Sequence, residues 1–137
     1  MIGYGKRVLL VHDPETMPLP LTTILEQEGF FVVHAHDGVR ALCAMRYRHF
    51  DVVVTDCHLP DDTGVDLLNQ LHMAWPEVPV IQIAEIEWNT CDRAELLGAF
   101  AWIRKSSDPG ILLSMLALAL EQNVERESVW ALEEVTA

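Results

Sequence analysis

Residues 6–13 of the chain read KRVLLVHD, an apolar run that lies between two basic residues and a polar pair. Four consecutive apolar residues without polar alternation are typical of a strand buried on both faces, as in parallel sheets. Similar apolar runs recur later in the chain. They cover residues 30–33, 52–54, 78–83 and 100–103. We therefore predict five short strands that belong to one sheet.

Helical patterns occupy the gaps between these runs. Apolar residues recur at three- and four-residue spacing in segments that begin near residues 21, 39, 65, 88 and 109, the fourth being the weakest. Because prolines in a helix interior break the helix, we expect the first helix to begin at about Pro20. Asp108 and Pro109 suit the N-cap and first position of the last helix. Alternating strands and helices predict right-handed crossovers and a parallel sheet with helices on both faces.

The size and charge of the chain exclude several classes of protein. A length of 137 residues suits one domain, and a formal net charge of -12 disfavours direct nucleic-acid binding, because phosphate backbones would repel it. The longest apolar run, residues 111–120, is shorter than the roughly 20 residues that span a bilayer. The N-terminus lacks a signal-peptide core, and the three cysteines have no CxxC spacing. We therefore expect a cytoplasmic protein without a membrane segment.

Charged residues follow the predicted strands at their carboxyl ends, where open parallel sheets bind ligands. Asp13 follows the first strand, Asp56 closes the third, and Lys105 follows the fifth. Two neighbouring carboxylates repel each other, and a hard cation with oxygen ligands relieves that repulsion. A carboxylate can also accept a phosphoryl group, whose oxygens a lysine would neutralise. This edge of the sheet is therefore a candidate site for phosphoryl transfer.

The same residues resemble the receiver domains of two-component response regulators. Residues 56–64 read DCHLPDDTG and fit the family pattern D-x-x-[ML]-P-x-x-x-G, between His12-Asp13 and Lys105. The resemblance covers residues 6–123 and implies a flavodoxin-like three-layer α/β/α sandwich with a parallel sheet in the order 2-1-3-4-5. We accordingly expect a receiver domain over residues 1–123 and a helical extension or tail over residues 124–137.

The resemblance also implies roles for individual residues. Asp56 would be the phosphoacceptor, and Asp13 and Asp56 would ligate Mg²⁺ together with the backbone carbonyl of His58. Lys105 would contact the phosphoryl group. Trp102 aligns with the aromatic switch residue of the family, although a packing role on an edge strand explains it equally well.

The chain departs from the family pattern at several of these positions. His12 replaces the first of two usual acids and removes one negative charge from the cation site. We expect it to neighbour Asp13 through hydrogen bonding, because magnesium prefers oxygen ligands. Ala84 replaces the Ser/Thr switch residue after the fourth strand, and Ser106 replaces a proline. A zinc site at His34 and His36 is not expected.

Two hypotheses of function follow. In the first, the chain is not an enzyme but a receiver that accepts phosphate from a sensor histidine kinase or phosphotransfer protein. It would then signal to a downstream protein target or form a homodimer through the fourth helix, fifth strand and fifth helix. In the second, it is a degenerate receiver that binds proteins independently of phosphorylation. An aspartyl-nucleophile phosphatase is disfavoured, because His58 stands where that class has a second acid.

Overall fold

The chain folds around a five-stranded sheet in which every strand pair is parallel. A computed structural model describes residues 2–13, 20–56, 64–84, 99–104 and 108–121. The strands are β1 (Arg7–Val11), β2 (Phe31–Ala35), β3 (Val52–Asp56), β4 (Val80–Ala84) and β5 (Ala101–Arg104). Their order is β2-β1-β3-β4-β5, which confirms the predicted sheet and its strand order.

Helices alternate with the strands as the apolar spacing predicted. They are α1 (Pro20–Gln27), α2 (Gly38–Tyr47), α3 (Gly64–Ala74) and a final helix over residues 109–121. The helix expected after Trp88, the boundary at residue 123 and the extension over 124–137 lie outside the described residues. None of the described helices is long and apolar enough to cross a bilayer.

The core has two apolar layers, one on each face of the sheet. Successive side chains of a strand point to opposite faces, so Leu9 and Val53 pack towards α2 and α3. Leu10 and Val54 pack on the other face with Leu25 of α1 and Leu116 of the final helix. Strands β1 and β3 are covered on both faces, which explains why their apolar runs are unbroken.

Several strands extend one or two residues past their apolar runs. β2 continues through His34 to Ala35, β3 through Thr55 to Asp56, and β5 to Arg104. Backbone pairing does not depend on side-chain polarity, so the sheet continues to the positions where polar side chains appear. The charged and polar residues at the carboxyl edge are therefore held by strand hydrogen bonds.

Caps fix the ends of the helices. Asp37 has an extended backbone, and its side chain accepts a hydrogen bond from the Arg40 backbone N–H at 2.8 Å. Asp108 accepts one from the Gly110 N–H at 2.8 Å, in agreement with its predicted capping role. After α1, Gly29 adopts a φ of 89°, and a Cβ there would approach the backbone of Tyr4 to 3.0 Å. The turn into β2 therefore requires glycine.

We expect Asp37→Ala to lower the free energy of unfolding by about 0.5–2 kcal/mol, because the first turn of α2 loses its cap. Urea denaturation followed by circular dichroism measures the change. Arg40→Ala is the matched control, since it removes only the 2.7 Å ion pair of an exposed side chain with Asp37. If both variants lose the same stability, the ion pair, and not the cap, is what Asp37 contributes.

Candidate functional site

Asp56 is a fully buried carboxylate at the end of the central strand. Its side chain belongs to the last residue of β3, lies at 0% exposure, and pairs in register with Ile83 of β4. The preceding residue, Thr55, donates its hydroxyl to the Asp56 carbonyl at 3.2 Å. Burial of a charged group is costly unless it is paired, so this position is consistent with a site that binds a counter-charge.

Asp13 comes to the same edge of the sheet from the neighbouring strand. It lies two residues beyond β1, whose Val11 pairs with Thr55 of β3, and its side chain is half-buried. The register therefore places Asp56 at the end of β3 and Asp13 just past the end of the adjacent strand β1. Carboxylate oxygens are the ligands that Mg²⁺ prefers, so the donor chemistry of this pair fits a magnesium ion.

The remaining predicted site residues are only partly described. Lys105 and His58 lie outside the described residues, so their roles stay predictions. β5 does end at Arg104, which pairs with Ala84, the last residue of β4. Lys105 is the next residue of the chain after Arg104, and its contact with a phosphoryl group stays a prediction.

His12 belongs to a cluster of three imidazoles beside this edge. Its Nε2 lies 2.9 Å from Nδ1 of His34 on β2, and the two rings meet edge to face with centroids 5.2 Å apart. The ring of His36 is also edge-on to His12, at 5.6 Å. A hydrogen bond between two imidazole nitrogens needs a proton on only one of them, so His12 and His34 adopt complementary tautomers.

The pKa of His12 is lowered from its ordinary value of 6.5, chiefly by burial. The neighbouring imidazoles of His34 and His36 lower it further, while the backbone of Asp13 and the carboxylate of Asp56 act in the opposite direction. The influence of Asp56 shows that His12 lies within electrostatic reach of the buried carboxylate. His12 is therefore neutral at pH 7, and it neither adds to the acidic charge of the edge nor opposes a cation.

The sequence did not reveal this cluster. His34 and His36 flank Ala35, which pairs with Val11 immediately before His12, so the three rings meet only once β2 is known to lie beside β1. Within the described part of the chain, no group of three His, Cys, Asp or Glu side chains is arranged to hold a metal ion.

A row of polar side chains crosses the sheet next to the site. Thr55 of β3 pairs with Gln82 of β4, and Gln82 pairs with Trp102 of β5. Thr55 and Gln82 are buried, and Trp102 is half-buried. Of these three, only Trp102 was singled out from the sequence, because a polar residue within an apolar run gives no sign of its lateral neighbours.

The lowered pKa of His12 predicts a stability that depends on pH. Below pH 6.5 the unfolded chain binds a proton at His12 that the folded chain does not yet bind. The free energy of unfolding should therefore fall as the pH drops below about 6.5. Melting temperatures between pH 5 and pH 8 should show a shallower decline for His12→Asn, whereas the exposed His72→Asn control should follow the wild type. An unchanged slope in His12→Asn would contradict the assignment.

The comparisons with known proteins agree on one family. Residues 8–117 match the model of the response regulator receiver domain. The sensory transduction protein RegX3 of Mycolicibacterium smegmatis is 30% identical over 125 residues, which cover 90% of this chain and 54% of that protein. The DNA-binding response regulator MtrA of Mycobacterium leprae is 32% identical over 120 residues, with 86% and 52% of the two chains covered.

A solved structure extends the likeness to the whole fold. A CheY-like response regulator receiver domain protein from Methanospirillum hungatei superposes with a TM-score of 0.82 at 27% identity, covering 88% of this chain and 98% of that one. The chain spans about half the length of RegX3 and about a third of the transcriptional regulatory protein TcrX of Mycobacterium tuberculosis, another relative. The family match over most of the chain, together with this fold, shows that the protein belongs to the response regulator receiver domain family.

Proposed function

We propose that the chain is a phosphorylation-responsive receiver whose phosphoacceptor is Asp56. The observation that carries the proposal is the buried Asp56 carboxylate at the carboxyl end of the central strand, with Asp13 just beyond the adjacent strand. A phosphohistidine on a sensor histidine kinase or phosphotransfer protein is the proposed donor. One relative, of which the chain covers 17%, is the CAI-1 autoinducer sensor kinase/phosphatase CqsS of Vibrio cholerae.

The proposed reaction is a single phosphoryl transfer. A carboxylate oxygen of Asp56 attacks the phosphorus, an O–P bond forms, and the N–P bond of the phosphohistidine breaks. The departing imidazole keeps the electron pair of that bond, and Asp56 becomes an acyl phosphate. In this scheme Asp13 would help to hold a magnesium ion beside Asp56, and Lys105 neutralises phosphoryl oxygens.

Asp13, Asp56 and the His58 carbonyl are the proposed magnesium ligands. Receiver domains generally bind Mg²⁺ at the phosphorylation site. The bound ion supplies positive charge that offsets the phosphoryl oxygens and the two carboxylates. The neutral His12 leaves this site with one carboxylate fewer than the usual family pattern, so magnesium binding should be correspondingly weak.

We propose that the domain signals by binding a downstream protein or a second copy of itself. The final helix exposes Ile111 and Leu118 at 44% and 47%, which supports a surface for a downstream protein or a homodimer that includes β5 and this helix. The chain as given has a net charge of -12, which argues against direct nucleic-acid contact by this domain. We place the domain in the cytoplasm, where it would meet the proposed kinase. A separate catalytic activity is not proposed.

A second candidate is a degenerate receiver that binds its partner without phosphorylation. His12 and Ala84 favour this candidate, because one lowers the charge of the cation site and the other lacks the hydroxyl of the family switch. The buried Asp56 and the neighbouring Asp13 favour the first candidate.

The two candidates differ in one measurement. Incubation with Mg²⁺ and acetyl phosphate or phosphoramidate, followed by intact-mass spectrometry, should show one added phosphoryl group on the wild type and none on Asp56→Asn. Asp51→Asn is the matched control, because Asp51 immediately precedes the opposite end of β3 and should leave the adduct intact. Absence of an adduct on the wild type would favour the degenerate receiver.

The magnesium site is tested by changing its charge. Asp13→Ala should abolish detectable Mg²⁺ binding in calorimetric titrations, because it removes a carboxylate ligand. His12→Asp should tighten binding by about tenfold or more, since a further negative charge near the cation is worth at least ~1.4 kcal/mol. His12→Asn controls for loss of the imidazole without added charge. If His12→Asp and His12→Asn bind Mg²⁺ with equal affinity, the charge at residue 12 does not influence the ion.

A further inference from the structure

Gln82 is a buried amide without a complete set of hydrogen bonds. Its side chain is 1% exposed in the middle of β4, between Ile81 and Ile83, and its Oε1 has no hydrogen-bond partner among the described residues. Buried polar atoms in folded proteins are nearly always paired. The Gln82 carbonyl oxygen is therefore an acceptor that is available to a donor from a neighbouring strand.

The sheet register limits which side chain that partner can be. Residues in register on parallel strands share a face, so Thr55 and Trp102 are the lateral neighbours of Gln82. The Thr55 hydroxyl already donates to the Asp56 carbonyl. Trp102 carries an indole N–H, which can only donate, and its half-buried ring lies on β5 at the rim of the sheet. Of the two lateral neighbours, Trp102 is therefore the one whose indole N–H could donate a hydrogen bond to Gln82.

The strand pairing also links Gln82 to the end of β3. Thr55 is in register with Gln82, and Asp56, the next residue of β3, is in register with Ile83. A displacement of Asp56 or Thr55 would be passed to Gln82 through this pairing, and from Gln82 to Trp102. This row of side chains, Thr55, Gln82 and Trp102, crosses the sheet and does not include Ala84.

We propose that Gln82 is a positioning residue that couples Asp56 to Trp102. When Asp56 carries a phosphoryl group, the Trp102 Nε1–H donates a hydrogen bond to Gln82 Oε1. This inference rests on the proposed function of Asp56. Linkage is reciprocal, so a hydrogen bond that forms mainly in the modified state must also favour modification.

Beryllofluoride with Mg²⁺ is the probe, because it forms a non-covalent analogue of a phosphorylated carboxylate. Binding to the full chain is followed by two-dimensional ¹H–¹⁵N NMR, with the indole signal of Trp102 assigned among the four tryptophans by Trp102→Phe. In the wild type, we expect beryllofluoride to shift this indole signal together with backbone signals around Asp56. In Gln82→Met, which keeps the volume and removes the acceptor, the backbone signals should shift but the indole signal should stay.

The affinity for beryllofluoride gives a second measurement. Gln82→Met and Trp102→Phe should each weaken it by about 2- to 10-fold, the value of one hydrogen bond, and the double variant should be no weaker than either single variant. Ile81→Met is the matched control: it changes a buried residue on the opposite face of β4 and should retain the indole shift.

The outcomes separate this inference from the function on which it rests. If the wild type shows no shift around Asp56, the proposed phosphoacceptor role fails, and the coupling fails with it. If the shift around Asp56 is normal but Gln82→Met keeps both the indole shift and the wild-type affinity, Gln82 does not couple the two residues. Additive losses in the double variant would likewise overturn the pairing of Gln82 with Trp102.

Discussion

The candidate site depends on the Asp56 carboxylate, which is held at the end of β3, a strand that is buried on both faces. Hydrogen bonds to β1 and β4 hold β3 on either side, and helices cover it above and below, so Asp56 has little freedom to move away from the edge. The same parallel arrangement brings the ends of β1, β4 and β5 alongside. A sheet of this kind collects residues that are distant in sequence, because all of its strands end on one side.

The residues beside Asp56 determine how much charge this edge carries. Asp13 and Asp56 contribute two acidic side chains there, while His12 is neutral at pH 7 because burial lowers its pKa. Residue 12 therefore adds no negative charge to this edge of the sheet. A receiver with an acid at that position would attract a cation more strongly, but it would have no imidazole to bond to His34.

The features that could be predicted from the sequence are those that depend on local pattern. Unbroken apolar runs such as residues 8–11 predicted buried parallel strands, and proline and aspartate near helix starts predicted where α1 and the final helix begin. The candidate site could be predicted as a set of strand ends, and the family resemblance supplied the strand order. The contact of His12 with His34 and the row through Gln82 depend on lateral register, which no local pattern records. Sequence also gives no measure of burial at Gln82, because one glutamine within an apolar run is equally compatible with an edge strand.

The hydrogen bond between His12 and His34 holds residue 12 in place beside the site. The 2.9 Å contact joins His12, the residue before Asp13, to β2. It lies just past the end of β1, where the backbone of His12 still forms a hydrogen bond to β2. His12 N–H donates to the Ala35 carbonyl at 3.0 Å, so residue 12 is fixed to β2 by both its backbone and its ring. Restricting the residue next to Asp13, a proposed ligand, would lower the conformational entropy that binding must remove. If Asp13 binds a cation as proposed, an acid at position 12 would strengthen the electrostatic attraction, whereas the imidazole pair restrains the residue that precedes Asp13. The first effect changes the interaction energy of binding, and the second changes its conformational entropy.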